Sequence, residues 1–154
     1  MDCRTKLEKF LRDQGVELEI QEHTQAFTAQ EVAASEHIHG RAMAKVVMVK
    51  AEGGLVMLVV PAPSMVDLDK VARAIRGPVR LAEEPEFTAV FGDCQPGAMP
   101  PFGSLYEVPV LVDRTMIQSP SIVFQAGTHT VTMTVPSADF ERLVQPKVDD
   151  IIVV

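Results

Sequence analysis

Apolar residues along this chain follow two different periods, and segments of the two kinds alternate. Leu7, Phe10 and Leu11 recur at helical spacing and Gly15 follows them, so residues 3–14 are predicted to form a helix. Other stretches are short, apolar and rich in β-branched residues, which is typical of strands. These predicted strands are 18–23, 42–50, 55–61, 107–113, 121–126 and 128–135.

Turn and capping residues organise the remaining segments. Glu52-Gly53-Gly54 separates two strands and predicts a hairpin, and Gly127 predicts a second tight turn. Because strands joined by short turns favour antiparallel pairing, we predict an α+β fold (α/β mixed). It would be a single domain over residues 1–154, with helices packed on a mixed, mainly antiparallel sheet. The further predicted helices are 28–35 (a capping box from Thr28 to Glu31), 68–76 (capped by Asp67), 84–91 (opened by Pro85) and 137–145.

The composition is that of an ordinary globular protein with an acidic balance. The net charge is −7 at pH 7, which argues against wrapping DNA or a long stretch of RNA but permits gripping one end of a nucleic acid. No apolar run approaches the length of a membrane span, and the charged N-terminus lacks the apolar core of an export signal. For the two cysteines, Cys3 and Cys94, no disulfide framework is predicted, and we expect a reducing cytoplasm.

The common catalytic motifs are missing from the sequence. It contains no P-loop, no G-x-G-x-x-G, no G-x-S-x-G and no C-x-x-C, so phosphoryl transfer and dinucleotide redox have no visible machinery. His37 and His39 form the one close pair of metal-type ligands, but zinc takes three or four, and His23 and His129 are distant in sequence. We therefore expect neither a metal nor a cofactor.

Three polar residues admit two interpretations each. Cys94 would be a nucleophile if a cation stabilised its thiolate, but its sequence neighbours are an acid and an amide, which favours an incidental thiol. Ser104 has no evident base and is interpreted as a turn residue. Lys45 lies on an apolar strand face, where it either protects a sheet edge or meets an anion in a cleft. Its predicted neighbours on that face are Met43, Val47 and Val49.

The segment 92–104, GDCQPGAMPPFGS, has an unusual composition. It combines three glycines with three prolines in thirteen positions. Glycine frees φ and lets another backbone or a ligand come close, whereas proline fixes φ and removes a donor. A plain turn needs far fewer of either. The segment is therefore predicted to hold the backbone both rigid and open to close approach.

Two of these features together resemble a known family. The strand lysine in Ala44-Lys45-Val46-Val47 and the later Gly97-Ala98-Met99-Pro100-Pro101-Phe102-Gly103 are similar to the YbaK/ProX family of aminoacyl-tRNA deacylases, which are related to the editing domain of prolyl-tRNA synthetase. That family has a lysine on a central strand and a G-x-x-x-P loop. The resemblance extends through the Asp67–Val71 helix start, the Ala126-Gly127 turn and the Ala138-Asp139-Phe140 helix. It implies a mixed sheet curled around a small pocket.

The resemblance also implies an activity. A free-standing protein of this family would hydrolyse, in trans, the ester of a mischarged tRNA, such as Ala-tRNA(Pro) or Cys-tRNA(Pro). It would act in the cytoplasm and would need no cofactor. The loop would present backbone N–H groups to the ester oxygen, which becomes negative in the transition state, and the pocket would select the amino acid by size. Lys45 and Gly97 are the implied catalytic residues, with Lys45 at the terminal phosphate or the ester. The implied substrate-binding residues are Ala98, Met99, Pro101, Phe102, Gly103 and His129.

Two departures from the family pattern leave a second interpretation open. Pro100 has no N–H where many relatives carry serine or threonine, and Ala98 replaces a frequent second glycine. The alternative is a non-catalytic module of the same fold that binds a tRNA 3′ end or a synthetase. Both interpretations expect the aminoacyl-tRNA 3′ end as partner, a synthetase as a second candidate, and neither a membrane nor DNA.

Overall fold

The computed structural model describes residues 2–22 and 41–154 of the chain. Within them lie four α-helices, two 3₁₀ turns (Gly103–Tyr106 and Met116–Gln118) and eight strands. The helices are α1 (Cys3–Asp13), α2 (Leu68–Ile75), α3 (Glu84–Thr88) and α4 (Ser137–Val144). The strands are β1 (Glu19–Glu22), β2 (Arg41–Ala51), β3 (Gly54–Pro61), β4 (Val79–Leu81), β5 (Val110–Asp113), β6 (Ser121–Gln125), β7 (Val131–Pro136) and β8 (Lys147–Asp149).

The strands form one mixed sheet in the order β1-β7-β6-β2-β3-β5-β8, and β4 pairs with the end of β2. The pairs β1–β7, β2–β3, β2–β4 and β6–β7 are antiparallel. The pairs β2–β6, β3–β5 and β5–β8 are parallel. The predicted α+β class with a mixed, mainly antiparallel sheet is confirmed. Strand β2 is an interior strand, flanked by β6 and β3.

Alternate residues of β2 and β3 serve two separate hydrophobic cores, because successive side chains of a strand point to opposite faces. The larger core lies under α1 and α4 and takes Ala44, Met48, Met57 and Val59 from these strands. The smaller core lies under α2 and takes Val49, Leu58 and Val60. The sheet is therefore covered by helices on both faces.

The predicted hairpin and helix starts are confirmed. Strands β2 and β3 pair over their length up to the Ala51–Gly54 turn. Asp2 caps α1 by accepting a hydrogen bond from Thr5 N–H at 2.8 Å. Asp67 caps α2 by accepting bonds from the N–H groups of Asp69 and Lys70, which satisfies donors that the first helical turn leaves open.

Several predicted boundaries differ from the structure. The helix predicted over 84–91 ends at Thr88, and the strand predicted over 107–113 begins only at Val110. Glu107 adopts a left-handed φ of 59° and Pro109 has no N–H, so the chain cannot join a strand ladder earlier. The last predicted hairpin strand begins at Val131 rather than at 128, because the residues before it belong to the turn.

Two short strands are not predicted by the pattern at all. Strands β4 and β8 have three residues each, too few to show a period, and exist through their pairing with β2 and β5. The helix predicted over 28–35 and the histidines His23, His37 and His39 lie outside the described residues.

Candidate active site

The loop rich in glycine and proline turns sharply at Gln95–Ala98. Ala98 N–H donates to the Gln95 carbonyl at 3.0 Å, which closes a four-residue turn with Pro96 second and Gly97 third. Gly97 has a φ of 81°. Proline at the second position and a positive-φ residue at the third are the requirements of a type II turn. The turn therefore requires glycine at 97, whereas Ala98 has no positive φ and alanine fits there.

Hydrogen bonds join this turn to the β6–β7 turn. Gln95 N–H donates to the Gly127 carbonyl, and Gly127 N–H donates to the Ala98 carbonyl, both at 2.8 Å. His129 N–H donates to Gln95 Oε1 at 2.8 Å. His129 Nε2 lies 2.8 Å from the Pro96 carbonyl oxygen, which only accepts, so Nε2 carries the proton and donates. We call these four bonds the latch.

The latch brings His129 against Gly97. A Cβ added to Gly97 would lie 3.4 Å from His129 Cε1, at the close end of ordinary van der Waals contact. Gly97 is exposed and His129 half-buried. These two predicted site residues are therefore adjacent and reachable from solvent, although 32 positions separate them in the sequence.

Several backbone N–H groups of the loop have no hydrogen-bond acceptor in the described part of the chain. Those of Gly97 and Met99 are the ones that flank the N–H of Ala98, which is used by the turn. Buried backbone donors are nearly always paired, yet Met99 is only 6% exposed. Oriented, unpaired backbone donors of this kind suit an oxygen that carries negative charge.

The second half of the loop is anchored in the larger core. Phe102 is fully buried, with its ring centroid 5.4 Å from that of Phe124 and 5.8 Å from that of Phe140. A Cβ on Gly103 would lie 2.8 Å from the Val108 carbonyl oxygen, so packing alone requires glycine there. These residues hold the loop in place through their packing, as do the buried Ala98, Met99 and Pro101.

Lys45 is half-buried on β2, and its Nζ donates a hydrogen bond to the Ser64 carbonyl at 2.6 Å. Within residues 2–22 and 41–154 no carboxylate pairs with it, so its charge has no counter-ion there. Strand β2 as a whole is an interior strand. Lys45 itself pairs with Val60 of β3 on one side, and on the other side it lies between the segments of β2 that pair with β6 and with β4, so both interpretations of Lys45 stay open. A half-buried cation without a counter-ion can receive an anionic group.

The parallel pairing of β2 with β6 places the strand of Lys45 beside the strand that ends at the β6–β7 turn. Met43 pairs with Val123. Lys45 and Gln125 lie two residues further along β2 and β6, so they occupy the same face of the sheet. Gln125 is the last residue of β6, and the turn that carries His129 follows directly. Strand β6 therefore lies beside the strand of Lys45 and ends at the turn that carries His129.

The expectation that the two cysteines stay unpaired is wrong, because Cys3 and Cys94 form a disulfide. Cys3 N–H donates to the Asp93 carbonyl at 3.2 Å, which brings the start of α1 beside the loop. Both cysteines are buried. A Cβ on Gly127 would lie 2.6 Å from Cys3 Sγ, so the β6–β7 turn packs directly on the disulfide. Cys94 is thus structural and is no incidental thiol.

A polar cluster of Asp93, Tyr106 and Lys6 surrounds the disulfide. Tyr106 Oη donates to Asp93 Oδ1 at 2.9 Å, and Lys6 Nζ lies 2.8 Å from Asp93 Oδ2. Partial burial works to raise the pKa of Asp93, but hydrogen bonds from Lys6 and Tyr106 hold it below its ordinary value. Burial, and then the bond to Asp93, raise the pKa of Tyr106. Donor atoms of Cys3, Asp93 and Cys94 lie within 4.8 Å of one another, but sulfurs bonded to each other are not thiolate ligands.

Gln95 is not among the predicted site residues, yet it contributes three hydrogen bonds to the loop. A local signal was present, since the run Gln95-Pro96-Gly97 predicts a type II turn and hence a positive φ at Gly97. The partner of that turn, His129, has no local signal. Ser104 is exposed in a 3₁₀ turn, in line with its interpretation as a turn residue.

Comparison with known protein families agrees with this geometry. A model of the aminoacyl-tRNA editing domain matches residues 23–143, which is most of the chain and includes Lys45, the loop and His129. The chain belongs to this editing-domain family. A search of curated proteins finds no significant match.

Solved structures share the fold of this editing domain. A protein proposed as a trans-editing enzyme for prolyl tRNA synthetase is 21% identical with a TM-score of 0.84, and the match covers 99% of this chain and 98% of that one. The hypothetical protein APE2540 is 19% identical with a TM-score of 0.85, over 96% and 99% of the two chains. A scaffold used for computational grafting of epitopes is 19% identical with a TM-score of 0.84, over 99% and 97%. At these identities the likeness establishes the fold.

No helix among the described residues of this editing domain is both long and apolar enough to cross a lipid bilayer.

Proposed function

We propose that this protein is a trans-acting deacylase that hydrolyses the ester of mischarged tRNA. The observation that carries the proposal is the loop latched against His129, in which the N–H groups of Gly97 and Met99 have no acceptor among residues 2–22 and 41–154. Family membership supports the substrate class, because the matched family is the aminoacyl-tRNA editing domain.

The proposed mechanism relies on positioning and backbone electrostatics. As water attacks an aminoacyl ester, the carbonyl oxygen gains negative charge, and preorganised N–H donors stabilise that charge without reorganising. The N–H of Gly97 is reachable from solvent and would take this role. An aminoacyl ester is already reactive, so the substrate's own ribose hydroxyl and a positioned water would suffice without a nucleophilic side chain.

Lys45 and His129 would orient the tRNA end. The ammonium group of Lys45 is the cation available for the terminal phosphate or the ester region, and it would exchange its bond to the Ser64 carbonyl for one to the substrate. His129 Nε2 is held by the Pro96 carbonyl, which leaves Nδ1 as an acceptor for a substrate hydroxyl or amine.

The proposed substrates are tRNA(Pro) charged with alanine or cysteine. Support comes from the structural neighbour described as a trans-editing enzyme for prolyl tRNA synthetase. A hydrolytic site that admits the smaller, wrong amino acid and excludes the right one supplies the second half of a double sieve. The net charge of −7 fits contact with the 3′ end alone, or a synthetase partner that holds the rest of the tRNA. The proposed location is the cytoplasm, where aminoacyl-tRNA is used.

A panel of charged tRNAs tests the proposal. Purified protein is incubated with alanyl-, cysteinyl- and prolyl-tRNA(Pro) and with alanyl-tRNA(Ala), and free amino acid is measured. We expect release from alanyl- or cysteinyl-tRNA(Pro) and none from prolyl-tRNA(Pro). Tight binding of tRNA without release from any ester would favour the alternative, a binding module of the same fold.

A further inference from the structure

Gln95 occupies a central position in the latch. Its N–H donates to the Gly127 carbonyl, its carbonyl accepts from Ala98 N–H, and its side-chain Oε1 accepts from His129 N–H. It therefore belongs to the loop turn through its backbone and to the β6–β7 turn through its side chain.

We propose that Gln95 is a positioning residue for the deacylation reaction, an inference that rests on the proposed function. Its side chain fixes the β6–β7 turn so that the His129 ring lies against Pro96 and Gly97. The residue contacts neither the ester nor the water. It acts through the orientation of the Gly97 N–H and of the His129 ring.

The exposure of Gln95 separates this role from a role in packing. Gln95 is solvent-exposed, so replacing its amide leaves no cavity in the core. The bond from His129 N–H is the one bond of the latch that a Gln95 side chain supplies, and the backbone bonds remain in any variant. A side chain of equal length without an acceptor therefore removes one defined constraint on the site.

The expected kinetic effect is on turnover. A misplaced backbone donor stabilises the transition state less, whereas the proposed contact of Lys45 with the tRNA end does not depend on the latch. A small displacement of a catalytic group costs up to about a hundred-fold in rate, so kcat should fall by roughly ten- to a hundred-fold while KM changes little.

The test compares two variants of similar length. Gln95→Met removes the acceptor, while Gln95→Glu keeps an oxygen in reach of His129 N–H and should restore most of kcat. Gln118→Met is the matched control, because Gln118 is an exposed glutamine in the 3₁₀ turn before β6, with no side-chain hydrogen bond in the described structure. Steady-state hydrolysis of alanyl-tRNA(Pro) or cysteinyl-tRNA(Pro), whichever the wild type cleaves, gives kcat and KM.

Amide hydrogen exchange supplies a readout independent of activity. The N–H of His129 should exchange faster in Gln95→Met than in wild type, and at nearly the wild-type rate in Gln95→Glu. Wild-type kcat in Gln95→Met, or equal losses of kcat in both Gln95 variants, would overturn the positioning role while leaving the proposed function intact. A wild-type protein that cleaves none of the esters would overturn the proposed function, and the positioning role with it.

Discussion

Gly97 meets two separate demands with one residue. The type II turn places it at a φ of 81°, where a side chain costs about 1 to 2 kcal/mol of strain. The proposed mechanism needs its N–H to be reachable from solvent, and His129 lies close on the side where a Cβ would point. Under that mechanism a substitution at this position should affect both folding and hydrolysis, and a control has to separate the two effects.

Gly97→Ala should lower both stability and activity. We expect the strain to reduce the free energy of unfolding by roughly 1 to 2 kcal/mol. The displaced donor should reduce kcat by on the order of a hundred-fold. Gly54→Ala is the matched control, because Gly54 has a φ of 133° with open space around its Cβ position and lies in the β2–β3 turn. It should lose stability and keep full hydrolysis, as measured by thermal melting and single-turnover assay. An active Gly97→Ala would restrict Gly97 to its turn role.

Lys45→Met should lower activity with little change in stability. A hydrogen bond from a charged group is worth about 1.5 to 3 kcal/mol, so kcat/KM should fall by roughly ten- to a hundred-fold if Lys45 binds the substrate. The loss of its bond to the Ser64 carbonyl should cost less in folding, because methionine retains the apolar stem. Lys50→Met, at the other end of β2, is the control. A large drop in melting temperature with full specific activity would make Lys45 a structural residue.

At the level of elements, the loop is held in place at each of its two halves. The latch holds its first half to the β6–β7 turn, and the core holds its second half through Phe102. Neither half forms a helix or a strand of its own, apart from the 3₁₀ turn at Gly103–Tyr106. Its conformation is therefore set by what it packs against, and the prolines reduce the freedom that it loses on folding.

Phe102→Ala should be strongly destabilising, since the ring is fully buried between two other phenylalanines. Truncation of a buried phenylalanine costs about 3 to 5 kcal/mol. Phe102→Leu keeps most of the volume and should cost less, with partial retention of hydrolysis because the loop stays anchored. Chemical denaturation measures both variants. Near-wild-type stability in Phe102→Ala would show that the ring is not a core anchor in solution.

At the level of the whole molecule, the Cys3–Cys94 disulfide links the N-terminal helix to the candidate site across 91 positions of sequence. Because Cys3 and Cys94 are paired, they no longer support the expectation of a reducing compartment. The proposed cytoplasmic location consequently depends on the proposed tRNA substrate alone. A cross-link that closes so long a loop restricts the unfolded chain, and it also fixes the chain directly before Gln95.

Removal of the disulfide should lower the melting temperature. A native disulfide typically contributes roughly 2 to 4 kcal/mol, which corresponds to about 5 to 15 °C for a chain of this size. The double variant Cys3→Ser/Cys94→Ser should melt lower than the oxidised wild type and should not respond to a dithiol reductant. Thiol titration of the unfolded wild type should detect no free thiol. Two titratable thiols, or equal melting temperatures, would contradict a stabilising disulfide.

The local sequence by itself determined much of the fold. The helices α1, α2 and α4 and the β2–β3 hairpin are predicted close to their observed bounds, because capping residues, glycine turns and apolar periods act within a few residues. The sequence also singled out Gly97 and Lys45, since a lysine on an apolar strand face and a loop full of glycine and proline are unusual in themselves.

Tertiary structure alone decided the rest, because it depends on contacts between residues distant in sequence. The pairing of Cys3 with Cys94, the interior position of β2 and the strands β4 and β8 follow from which segments become neighbours. The latch between Gln95 and His129 has the same origin, since 34 positions separate the two residues and no local period relates them. Local propensities set each turn separately, and the two turns come together through the latch and through the packing of the β6–β7 turn on the disulfide.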